Sequence, residues 1–203
     1  LGGSFEEETD YYRPQLHVDS AGFCQPLCDG PDNNPVNTAE DTFLHLITSA
    51  NESVYITTPY LILDSEMTTA LSVAAKNGVD VRIITPHVPD KWYVHAVSRA
   101  YYEMLVEAGV KIFEYTPGFV HAKTFVVDDE YAVVGTINLD YRSLYLHFEC
   151  AVWMYQTTAV AEVRDDFFKT QNVSQEITLE QCQNISWFRR LVRSLLRVLA
   201  PLM

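Results

Sequence analysis

Positive charge is what this chain is short of. Its 14 lysines and arginines face 27 acidic residues, leaving a formal net charge of −13 at pH 7. Proteins that hold nucleic acid through many phosphates are basic, so this balance argues against a nucleic-acid partner. It also confines any attraction to an anionic surface to a local patch. Cysteine is scarce as well. Cys24 and Cys28 have no second close pair and no nearby histidine, and Cys150 and Cys182 stand alone in sequence. Neither a zinc site nor a disulfide framework is implied, and reduced thiols are expected. Nothing calls for a metal or an organic cofactor. No apolar run approaches the ~20 residues of a membrane-spanning helix, and no internal repeat is visible.

What is present is an ordinary globular composition, 48% hydrophobic and 12% aromatic over 203 residues, enough for one full core. Residues 1–37, with the acidic run Glu6-Glu7-Glu8 and the polar stretch Asp29 to Asn37, read as a linker or as the end of a missing preceding domain. Regular patterning starts at Thr38, an N-cap for a helix that turns Phe43, Leu46 and Ile47 inward. Short apolar runs from Val54, Val79 and Val110 then alternate with helical segments from about Ser65 and Lys91, the helices closing at Gly78 and Gly109. This rhythm predicts an α/β fold with a mainly parallel sheet covered by helices on both faces. Ligands in such sheets gather at the carboxyl ends of strands, which makes Pro59, Tyr60 and His87 pocket-wall candidates, although each also reads as a strand terminator. A last helix is expected over about 179–199. There Arg189, Arg190, Arg193 and Arg197, with no acid in residues 186–203, form a basic stripe beside Trp187. Such a helix suits a lipid interface, or equally docking on its own domain.

The richest stretch is 121–149. His121, Lys123, Asp128, Gly135 and Asn138 follow the spacing H-x-K-x4-D-x6-G-x-x-N, with Ser143 and Glu149 beyond. His121 and Lys123 precede the β-branched and aromatic run from Thr124, and two-residue spacing puts both on one face of a strand. An imidazole attacks phosphorus when neutral or protonates a leaving oxygen when charged. The lysine supplies fixed positive charge to a phosphate, Asn138 an amide donor, and Gly135 close backbone approach. Asp128 would repel a phosphate, so holding a turn is its expected job. Glu149 either orients a histidine or is a surface charge at a strand end.

This pattern resembles the phospholipase D superfamily, and within it the second half of bacterial cardiolipin synthases. VYITTPYLILD, ALSVAAKNGVDVRIITP, PGFVHAKTFVVDD and VGTINLDYRSLYLHFE carry the likeness, over roughly residues 25–203. The resemblance implies a phospholipase D-like α/β/α sandwich on a mixed sheet spanning 38–203. It also implies metal-free joining of two phosphatidylglycerols into cardiolipin and glycerol by way of a phosphohistidine. His121 is then the histidine of the second motif, Lys123 and Asn138 the phosphate ligands, and Glu149 the carboxylate paired with an active-site histidine. Gly135 and Ser143 support them. His147 stands where the family more often has Asn. The implied partners are anionic phospholipid, the cytoplasmic face of the bacterial cell membrane, and the N-terminal half of the same polypeptide or a second copy. Only one H-x-K is present, and two histidines are needed, because the one bound to phosphorus cannot also carry the proton. A single-motif homodimeric phosphodiesterase and a non-catalytic membrane-binding module are the alternatives.

Overall fold

The computed structural model describes residues 21–31 and 37–187, together with Val192, Leu195 and Leu196. The strands are β1 (Phe23–Asp29), β2 (Ser53–Thr57), β3 (Asp80–Pro86), β4 (Lys111–Tyr115), β5 (Thr124–Val127), β6 (Tyr131–Gly135), β7 (Glu149–Tyr155) and β8 (Ser174–Ile177). They form a single sheet in the order β1-β7-β6-β5-β2-β3-β4-β8. The helices are α1 (Thr38–Ser49), α2 (Ser65–Lys76), α3 (Trp92–Glu107), α4 (Thr158–Gln171) and α5 (Leu179–Gln183). Alternation along the strands sets the layers. Val54, Ile56, Ile83, Ile112, Phe125 and Val127 pack with Phe43, Leu46, Met67, Leu71, Val97 and Leu105 of α1–α3. Their neighbours Tyr55, Ile84, Phe113 and Val126 turn to the other face, where α4 brings Val160 and Phe167. Phe43 stacks on Phe125 with centroids 4.2 Å apart, a contact contributing roughly 0.5–1.5 kcal/mol beyond the area it buries.

The sheet is mixed, as expected, but it is not mainly parallel. Among the described residues only β2–β3 and β3–β4 pair in parallel; β1–β7, β7–β6, β6–β5, β5–β2 and β4–β8 are antiparallel. The reason lies in the connections. A turn as short as Asp128–Glu130 joins antiparallel strands only, whereas the helical crossovers around β2–β4 permit parallel pairing.

Two stretches not recognised as strands in the sequence belong to the sheet. Phe23–Asp29, inside the expected linker, is an edge strand whose Asp29 accepts from Ala39 N–H at 2.7 Å. Asp29 therefore caps α1 from a distance, and Thr38 is the first helical residue rather than the cap. The polar segment Ser174–Ile177 closes the opposite edge against β4. The expected last helix starts where predicted, as α5, which ends at Gln183 with Asn184 at its cap; Trp187, Val192, Leu195 and Leu196 are helical again beyond that break. Trp187 is 77% exposed and Leu195 60%, while Leu196 packs on the core. Arg189, Arg190, Arg193 and Arg197 lie outside the described residues.

Candidate active site

The motif folds as a hairpin. Asp128 and Asp129 take positive φ, 52° and 56°, a conformation that Asp tolerates better than most residues. This lets β6 fold back along β5. Asp128 then accepts hydrogen bonds from the backbone N–H of Asn51, Glu52 and Ser53 at 2.8–2.9 Å. Burial alone would raise its carboxyl, but these three donors outweigh that and hold it below the ordinary carboxylate range. Asp128 fastens the turn between α1 and β2.

At the hairpin's open end, Gly135 N–H donates to the Lys123 carbonyl at 3.3 Å. A Cβ on Gly135 would lie 2.3 Å from the Cys150 carbonyl oxygen, a contact that no other residue escapes. The loop after β6 is held by the loop after β2: Ile62 N–H donates to the Leu139 carbonyl at 2.8 Å, and Leu139 N–H to Thr58 Oγ1 at 3.3 Å. This places Asn138 beside a cavity of about 270 Å³ lined by Tyr60, Lys91, Tyr93, Asp140, Arg142, Ser143 and His147, among others. Asn138 Nδ2 donates to Ser143 Oγ at 2.9 Å, and Ser143 N–H to Asp140 Oδ1 at 2.8 Å. The carboxamide is thus oriented through a π-helical turn, Arg142–Leu146, of a kind frequent at functional sites. Its Oδ1 is buried with no protein hydrogen-bond partner. Burial raises the Asp140 carboxyl despite its bonds to Ser143.

Lys123 and His121 sit just before β5, not within it, and neither lines that cavity. Lys123 Nζ donates to the His121 carbonyl at 2.7 Å. Burial pulls the ammonium below its ordinary value, against the attraction of Glu149 and Asp140. The exposed His121 ring lies 5.8 Å from Phe119, whose ring is 6.3 Å from Tyr60. Glu149 accepts from the Thr136 hydroxyl and lies 3.8 Å from His147 Nδ1. Its contact is therefore with His147 rather than with His121.

The pocket-wall candidates separate. Tyr60 lines the main cavity and donates to Asp90 Oδ2 at 2.9 Å. Pro59 lines a small crevice with Phe119. His87 belongs to another cavity of about 240 Å³ around Glu114, Arg99 and Tyr102. Lys91 and Tyr93 had no signal in the sequence beyond following a strand end; the Tyr60–Asp90 bond brings them in. Among the described residues, Glu40, Asp64 and Glu66 are the one group with cation-binding geometry, their oxygens within 4.8 Å of one another. Burial and the hydrogen bond to Asp64 push the Glu40 carboxyl up to about 7. No helix among the described residues is long and apolar enough to cross a membrane.

Residues 43–170 match a family described as "Cardiolipin synthase, PLD-like domain". An uncharacterized protein of Streptococcus mutans is 48% identical over 199 residues, covering 97% of this chain and 43% of that protein. A cardiolipin synthase of Halalkalibacterium halodurans is 41% identical over 195 residues, covering 95% and 38%. Among solved structures, a phosphatidylserine synthase from Haemophilus influenzae superposes with a TM-score of 0.69 at 17% identity, covering 92% of this chain and 47% of that one. The chain spans about two fifths of the length of the curated relatives it matches.

Proposed function

The chain belongs to the cardiolipin synthase family of phospholipase D-like domains, and from that premise we propose that it supplies the second catalytic half of an enzyme joining two phosphatidylglycerols into cardiolipin and glycerol. A histidine of a first H-x-K motif attacks the phosphorus of one phosphatidylglycerol. The P–O bond to the glycerol head group breaks, and His121 gives its proton to that oxygen. The phosphatidyl group then rests on the first histidine. His121, now neutral, takes the proton of the second lipid's glycerol hydroxyl, which attacks phosphorus and frees the histidine. Proton and bond counts close over the two steps.

Lys123 and the remaining Asn138 N–H hold the phosphoryl oxygens. The buried Asn138 Oδ1 suits a hydroxyl donor such as the acceptor alcohol. Glu149 favours the charged form of Lys123 and stands beside the His147 imidazole. The reaction takes place at the cell membrane, since both substrates are bilayer lipids. The basic residues from Arg189 to Arg197 supply the local attraction that the acidic body lacks.

The observation that carries this reading is the Gly135-to-Lys123 hydrogen bond, which brings the H-x-K and G-x-x-N halves together at one end of the sheet. The test uses the two-motif polypeptide containing this chain, assayed for cardiolipin on phosphatidylglycerol vesicles. His121→Ala is expected to lower the rate by about 1,000-fold or more, and this chain by itself to form none. A His121→Ala enzyme at full rate, or turnover by a homodimer of this chain, would overturn the assignment.

A further inference from the structure

Cys28 and Cys150 are 122 positions apart in sequence, yet they face each other directly across the β1–β7 pair. Both thiols are exposed. The hydrogen bonds of Cys150 identify the type of pair. Its carbonyl accepts from Thr136 N–H at 2.8 Å and its N–H donates to Thr136 Oγ1 at 3.0 Å. Both backbone groups therefore point to the β6 side, and toward β1 the residue makes no ladder bond. Cys28–Cys150 is thus a non-hydrogen-bonded antiparallel pair, the kind with Cα atoms about 4.5 Å apart and side chains closest. That spacing lies inside the disulfide range of roughly 4.4–6.8 Å. Cys24 is on the same strand face but opposite Met154, and so has no thiol facing it.

We propose that Cys28 and Cys150 are a modification site, a dithiol that closes to a cross-strand disulfide when it meets a low-molecular-weight disulfide. One thiolate attacks the oxidant, forming a mixed disulfide and releasing one thiol. The second thiolate displaces the other half. The oxidant's sulfur–sulfur bond is broken as the protein's is made, and the two protons end on the two released thiols.

The bond is placed where it has consequences. It ties the edge strand whose Asp29 caps α1 to the residue next to Glu149. It also closes a loop of more than 100 residues, which constrains the unfolded chain far more than the native sheet.

The experiment incubates this chain with excess oxidised glutathione and with dithiothreitol, then maps peptides without reduction and records thermal unfolding. A Cys28–Cys150 peptide is expected in the oxidised sample, with Tm raised by roughly 10 °C, both reversed by dithiothreitol. Cys24→Ser keeps both signals; Cys28→Ser and Cys150→Ser lose both. Separate glutathione adducts on Cys28 and Cys150, a bond through Cys24, or an unchanged Tm in the oxidised sample would overturn the proposal. The peptide map of the unmutated chain decides even where a serine variant folds poorly.

Discussion

Two cations sit at the same end of the sheet and are held in opposite ways. Arg99 on α3 is forked onto Glu114 of β4, with Nε 2.7 Å from Oε1 and Nη2 2.5 Å from Oε2. Glu114 is fully buried and takes a further contact from His87 at 2.8 Å. Burial alone would raise that carboxyl, but Arg99 and His87 bring it below the ordinary range. Lys123 has no such partner among the described residues. Its ammonium meets a carbonyl, and its carboxylates Glu149 and Asp140 act through space. A charge closed on a buried partner belongs to the fold; a charge held only by a carbonyl is left for a ligand.

The largest effect expected is on the closed side. Glu114→Ala leaves Arg99 half-buried without its fork, at a cost of about 3–5 kcal/mol, read from the urea midpoint at constant m-value. The sign with pH follows from the depressed carboxyl. The stabilisation is complete above the unfolded value near 4.3 and is lost as pH falls through the lower folded value. The difference between wild type and variant should therefore shrink in acid.

An intermediate case is Glu40, 7% exposed, which lies against Asp64 while Tyr145 donates to Asp64 at 3.0 Å. Its pKa is pushed up to about 7, so between about 4.5 and 7 the folded chain binds more protons than the unfolded one. Stability falls across that window as pH rises. Glu40→Gln, which is always neutral, is expected to flatten that fall and to be the more stable form at pH 8 by on the order of 1 kcal/mol, discounted for solvent screening. Parallel melts at pH 5 and pH 8 check it; equal slopes in both proteins would show that no proton is held there.

The same contrast explains what was legible in the sequence. The closed side is built from strong periodic elements. Phe43, Leu46 and Ile47 fall on one face of α1, and Gly78 and Gly109 take the positive φ that ends α2 and α3, so residue order alone located them. The edge strands were not legible. β1 carries Pro26 and buries only Leu27 and Asp29, and β8 is Ser-Gln-Glu-Ile; each pairs on one side only, so little apolar pattern is required of it. At the site, spacing located His121, Lys123 and Asn138. It did not give the lock of Asn138 onto Ser143, the turn of Glu149 toward Thr136 and His147, or the arrival of Lys91 and Tyr93. The first two depend on the irregular backbone between β6 and β7, including the π-helical turn, and the third on a contact between residues 30 apart, none of which strand or helix periodicity encodes.

The smallest stability effect belongs to the open cation. Lys123→Ala removes one hydrogen bond to a carbonyl that solvent can replace, and it relieves part of the burial that depresses the ammonium. Unfolding free energy should change by no more than about 0.5 kcal/mol. In the two-motif enzyme the same substitution takes away the fixed charge facing the phosphoryl group, and cardiolipin formation should drop by roughly 100- to 1,000-fold. Urea melts of this chain and initial rates of the parent enzyme measure the two separately. A Lys123→Ala chain as destabilised as Glu114→Ala would mean that the lysine is part of the scaffold after all, and that the two cations differ only in the company they keep.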